Sequence, residues 1–134
     1  MGKTPGVKED GIKNIINIVT ERFTIKVKLN ETNTAKKLLK ILPAYSRVNK
    51  WGDEIYFSIP MKAEIEKGVE VVEVGTVAFW PPGNALCIFF GRTPASISDK
   101  PQAVSPVTVI GSVIGEESIK NLKEIKDGEE VKVS

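Results

Sequence analysis

The chain has 134 residues, 41% hydrophobic and 27% charged, a size and balance that fit one domain able to bury about two-thirds of its surface. It contains no histidine and one cysteine, Cys87, which excludes Ser–His–Asp and Cys–His catalysis, imidazole-ligated metals, an internal disulfide and a multi-thiolate zinc site. With 19 basic and 17 acidic residues the net charge is +2, too balanced to imply nucleic acid or an anionic membrane as partner.

Met1 to Asp10 is polar and carries no apolar segment of the kind a signal peptide needs. Residues 1–11 are therefore expected to form a flexible tail, and residues 12–134 a single domain. The longest apolar run, Ala85 to Phe90, is far short of a membrane span, so a cytoplasmic location is expected. Lysine mixed with glutamate, beside a single glutamine (Gln102), leans toward a thermophilic source.

Ile12 to Val19 is apolar, and Thr20-Glu21-Arg22 can turn it into a second strand. There Phe23, Ile25, Val27 and Leu29 alternate with polar neighbours, giving one buried and one wet face. A helix follows, capped by Asn33 or Thr34, with Ala35, Leu38, Leu39 and Leu42 on one face. Lys36, Lys37 and Lys40 make its solvated face, and Pro43 stops it.

From Tyr45 the pattern is that of strands. Arg47 to Trp51 and Ile55 to Ile59 flank a Gly52-Asp53 turn. Met61, Ala63 and Ile65 alternate with charged residues, and Val69 to Val74 is rich in valine. Val77 to Trp80 leads through Pro81-Pro82-Gly83-Asn84 into Ala85 to Phe90, an unbroken apolar run that predicts a strand buried on both faces. Gly91 to Pro106 reads as a long loop, a length often reserved for function. Val107 to Ile114 is a strand, Glu116 to Ile125 a short helix with Ile119, Leu122 and Ile125 inward, and Glu130 to Val133 a last strand. The expected fold is mainly β, a closed barrel with two short helices.

Three stretches resemble the cyclophilin fold: Val109 to Gly115 with Leu122-Lys123, Leu29 to Leu38, and Ile88-Phe89-Phe90. The chain more closely resembles a small family of cyclophilin-like proteins from thermophilic bacteria and archaea that has no established activity. Trp51-Gly52-Asp53-Glu54-Ile55-Tyr56-Phe57, Trp80-Pro81-Pro82-Gly83, Phe89-Phe90-Gly91-Arg92-Thr93-Pro94 and Ser105-Pro106-Val107 carry that resemblance, which runs from about Phe23 to the C-terminus. In true cyclophilins an arginine in a phenylalanine-histidine-arginine-valine segment stabilises the twisted prolyl amide. Tyr45-Ser46-Arg47-Val48 looks like that segment, with Ser46 in place of the histidine, so the resemblance implies Arg47 as the catalytic residue of an isomerase. Lowering the prolyl barrier needs positioned donors and an apolar pocket rather than an imidazole. The phenylalanine-methionine-x-glutamine segment that follows in cyclophilins is absent here, as is their methionine-alanine-asparagine segment.

The expected function is a module that binds a peptide or small molecule without established catalysis. Its candidate binding residues are Arg47, Trp51, Tyr56, Phe79, Trp80, Phe90 and Arg92, a groove of one or two aromatics with an arginine at its rim. The alternatives are a peptidyl-prolyl cis-trans isomerase and a protein that self-associates through exposed strand edges. No cofactor and no metal ligand is expected. Asp53 and Glu54 are neighbours on extended chain and point to opposite faces, so they cannot form a facing acid–base pair. Asp53 reads as a turn residue, Glu116-Glu117 as complementing a helix dipole, and Cys87 as an inert buried thiol.

Overall fold

Valine and isoleucine dominate the segments that pair, because β-branched side chains fit a pleated, half-buried surface. The structure, a computed structural model, describes residues 14–134; the tail expected over residues 1–11 lies outside them. In chain order the elements are β1 (Ile15–Val19), β2 (Thr24–Leu29), α1 (Asn33–Ile41), β3 (Ala44–Arg47), β4 (Asn49–Lys50) and β5 (Glu54–Ser58). There follow β6 (Val69–Val71), β7 (Thr76–Trp80), a 3-10 turn (Pro81–Gly83), β8 (Ala85–Phe89), β9 (Gln102–Val113), α2 (Glu116–Leu122) and β10 (Glu130–Val133).

Every pairing is antiparallel. The strand order is β3-β10-β1-β2-β9-β7-β8-β5-β4, with β6 added onto β9. This corrects the expected closed barrel: the sheet is open, because no ladder joins its terminal strands β3 and β4. Both terminal strands are short, four and two residues, and each keeps a single partner, β3 on β10 and β4 on β5, with only Val48 between them. Val48 exchanges backbone hydrogen bonds with the β10 approach, its N–H donating to Glu129 O at 2.9 Å and its carbonyl accepting from Gly128 N at 2.7 Å. Alternation along a strand reports which face is buried; it does not report what lies beyond the strand's edge.

The sheet has two apolar layers. On the inner face Ile16, Ile18, Ile25, Val27, Ile55, Phe57, Val77, Phe79 and Ile88 pack with Ala35 and Leu38 of α1 and Leu122 of α2. On the outer face Ala78, Cys87 and Phe89 of β7 and β8 are covered by Val72, Ala103 and Val107. Hence every residue of β8 is buried, as its unbroken apolar run predicts.

Three local expectations shift. The cap of α1 is Thr32, whose hydroxyl accepts from Ala35 N at 3.1 Å. The next two amides are taken by Glu66, which receives Asn33 N at 3.1 Å and Thr34 N at 2.8 Å. That engagement, with Glu66 N donating to Thr108 Oγ1 at 2.9 Å, leaves the alternating Met61 to Glu66 segment outside any strand. The long loop is shorter than its proline content implied, because β9 already begins at Gln102. Pro106 lies within that strand, where the β6–β9 register shifts between Val69 and Val71; a bulge is where a sheet tolerates a residue with no N–H.

Candidate functional site

The outer layer does not close completely. Between β5, β7, β8 and the first half of β9 lies a cleft of about 220 Å³, lined by Trp51, Glu54, Tyr56, Trp80, Cys87, Ala103, Val104 and Val107. Strand geometry explains the grouping. Glu54 and Tyr56 are two apart on β5 and share a face. Tyr56 stands opposite Cys87 and Glu54 opposite Phe89, while β7 brings Ala78 opposite Cys87 and Trp80 opposite Ala85.

Two of the sequence motifs act as supports for this cleft. In the first, the Trp51 N–H donates to Glu54 O at 2.9 Å, Asp53 N to Arg92 O at 2.8 Å and Phe90 N to Asp53 O at 2.8 Å. This network ties the Trp51-Gly52-Asp53-Glu54 turn to the Phe90-Gly91-Arg92 segment. Gly91 is needed there, since a Cβ would run into the Asp53 side chain. In the second motif the 3-10 turn folds Gly83 against the Trp80 ring, where a Cβ would stand 2.7 Å from it. On its other side the Trp80 indole donates from Nε1 to Ser105 Oγ at 2.7 Å. The ring is therefore fixed between a turn and a strand.

Glu54 gives the cleft its chemistry. It is only 5% exposed, and its Oε1 has no hydrogen-bond partner among the described residues. Burial raises its pKa to about 7, with the Cys87 thiol as hydrogen-bond partner pulling it partly back. The Cys87 thiol is in turn pushed well above its ordinary value by burial and by the neighbouring carboxylate, which keeps it protonated and a poor nucleophile. Among the described residues no three His, Cys, Asp or Glu side chains gather as metal ligands, and no lysine or arginine lines the cleft.

The residues singled out from the sequence fall in four places. Trp51, Tyr56 and Trp80 come together in the cleft. Phe79 and Phe90 point to the inner core. The arginines lie elsewhere. Arg47 edges a separate depression of about 1020 Å³ formed with Tyr45, Ser46 and the β10 segment. Its guanidinium there donates to Gly128 O and Glu130 Oε2, each at 3.0 Å. Arg92 is exposed on the loop after β8 and donates to Ser96 O at 3.1 Å. Sequence reasoning missed Glu54 and its approach to Cys87. The available signal was the spacing of Glu54 from Tyr56, which places the carboxylate on the aromatic face. Its burial was not visible, because the outer layer beside it is assembled from β7, β8 and β9, all distant from Glu54 in sequence.

The fold and the sequence define the class. The family model described as cyclophilin-like matches residues 14–134, and the chain belongs to that cyclophilin-like family. Among solved structures it is similar to the solution structure of a hypothetical protein from Archaeoglobus fulgidus. The two share 39% identity over 92% of this chain and 95% of that one, with a TM-score of 0.75. A second neighbour, McbB in complex with tryptophan, shares the fold at 22% identity and a TM-score of 0.62 over 88% of this chain and 43% of its own. No curated protein matches. No helix among the described residues is long and apolar enough to cross a membrane.

Proposed function

We propose that this protein is a binding module for a small, ring-sized apolar ligand, taken up in the outer-face cleft. One observation carries the reading: a buried carboxyl group with an unpartnered oxygen stands in a cleft whose other walls, apart from the Cys87 thiol, are aromatic or aliphatic. Buried polar atoms are nearly always hydrogen-bonded, because leaving one bare costs about 1–3 kcal/mol. A sequence optimised for stability alone would place an apolar residue there, and such sacrifices concentrate at functional sites.

Size limits the occupant. Apolar cavities of roughly 150 Å³ hold a benzene ring, and drug-sized ligands need roughly 300–1,000 Å³. At about 220 Å³ the cleft suits one or two fused rings, or a single side chain of a peptide. The isomerase alternative rests on Arg47, which lies outside this cleft with its guanidinium engaged by Gly128 and Glu130.

The test uses the two tryptophans of the chain, both of which line the cleft. Two-dimensional NMR of the indole N–H groups then has two cross-peaks, both reporting on the site. Titration with a panel of one- and two-ring compounds should move both. A panel that moves neither overturns the proposal.

A further inference from the structure

Resting on that reading, the geometry points to a cationic occupant: we infer that the cleft selects a ring-bearing primary ammonium, its N–H groups donating to the Glu54 carboxylate and its apolar body held among Trp51, Tyr56 and Trp80.

The polar atoms in the lining support this. The Trp80 Nε1 donor is already given to Ser105 Oγ. The Cys87 thiol is held protonated by burial and by the neighbouring Glu54 carboxyl. What remains for a ligand is an acceptor, the Glu54 carboxylate, which lines the cleft and whose Oε1 has no partner among the described residues. An ionised carboxylate accepts and cannot donate, so the matching ligand group is a donor. With no lysine or arginine in the lining among the described residues, nothing there would balance an anion, and a ligand carboxylate would face Glu54 directly. A cation gains on both counts. It pairs with the carboxylate in a partly desolvated site, where charge-assisted hydrogen bonds are about twice as strong as neutral ones. It also benefits from neighbouring aromatic π-systems, which attract ammonium groups. The other titratable groups of the lining are Cys87 on β8 and Tyr56 on β5, and the β9 residues Ala103, Val104 and Val107 supply none. Neither titratable neighbour is basic, so neither competes with an ammonium for Glu54.

The experiment titrates the intact protein at pH 8 with three matched probes, 2-phenylethylammonium, 2-phenylethanol and phenylacetate, reading the two indole cross-peaks. The ammonium should bind about tenfold or more tightly than the alcohol, and phenylacetate weakest of the three. In Glu54→Gln the preference for the ammonium over the alcohol should vanish while the alcohol still binds. A measurement on the unaltered protein makes the same point independently: affinity for the ammonium should rise between pH 5.5 and 8.5 as Glu54 ionises, and that for the alcohol should not. Equal affinity for ammonium and alcohol at pH 8 overturns the inference and leaves the cleft as a site for neutral rings. Failure of all three probes to move either cross-peak overturns the inference and the binding-module reading together.

Discussion

Glu54 and Glu66 are the same side chain in opposed surroundings. Glu66, half-buried at the start of α1, accepts from Thr34 Oγ1 at 2.6 Å, Thr34 N at 2.8 Å and Asn33 N at 3.1 Å. Those donors, led by the Thr34 hydroxyl and amide, hold its pKa below the usual carboxylate value. A negative charge at a helix N-terminus is also well placed against the helix dipole. Glu54 is buried in the outer layer with a bare oxygen, and its pKa is raised to about 7. One carboxylate is fully served and stabilises the fold; the other is underserved and weakens it at neutral pH. The contrast separates a structural cap from a group held ready for something outside the chain.

The comparison breaks most sharply on stability against pH. A carboxyl whose pKa is raised on folding contributes stability that is present below its unfolded value and lost as pH rises through the folded one. For Glu54 those values are 4.5 and about 7. Wild type should therefore lose about 3 kcal/mol relative to Glu54→Gln between pH 4 and pH 9, read by urea unfolding across that range. A constant difference would show that Glu54 titrates normally. Next in size, Gly91→Ala forces a Cβ into the Asp53 side chain and should cost about 1–3 kcal/mol by overpacking. Because Asp53 carries the turn between Trp51 and Glu54, the Trp51 cross-peak should move as well; an unmoved peak would uncouple that turn from the cleft.

Glu66→Gln should lower the thermal midpoint at pH 7. The gap should close on acidification, since a depressed pKa contributes stability that is present above the unfolded value of 4.5 and lost as pH falls through the folded one. A gap that persists at pH 2 would mean the cap does not depend on charge. The smallest effect belongs to Arg47→Ala. Its ion pair with Glu130 is 67% and 79% exposed, so the loss should be under about 1 kcal/mol, with both indole cross-peaks and ligand affinity at the cleft unchanged. Altered affinity would tie the Arg47 depression to the cleft.

Much of the fold was readable because local pattern and burial agreed. The alternation of Ile25, Val27 and Leu29 matches a strand with one buried face, and the unbroken run from Ala85 matches one buried on both. What escaped was set by distant partners. No ladder joins β3 to β4: β3 is paired with β10, distant in sequence, and β4 with β5. The cap of α1 comes partly from Glu66, more than thirty positions on. The site was half legible in the same sense. Trp51, Tyr56 and Trp80 stand out as residue types and do meet, while Phe79 and Phe90, alike in composition, face the inner core. Strand parity separates them: Trp80 and Phe79 are neighbours on β7 and must point to opposite sides. Glu54 read as a neighbour of Asp53 on the opposite face of extended chain, and only the assembled fold leaves it 5% exposed.

The most direct measurement is the pH titration of the Glu54 side-chain carboxyl carbon by NMR, with and without 2-phenylethylammonium. A midpoint near 7 in the free protein, falling when the ammonium is present, is the predicted result. A midpoint near 4.5 that the ammonium leaves in place would contradict it.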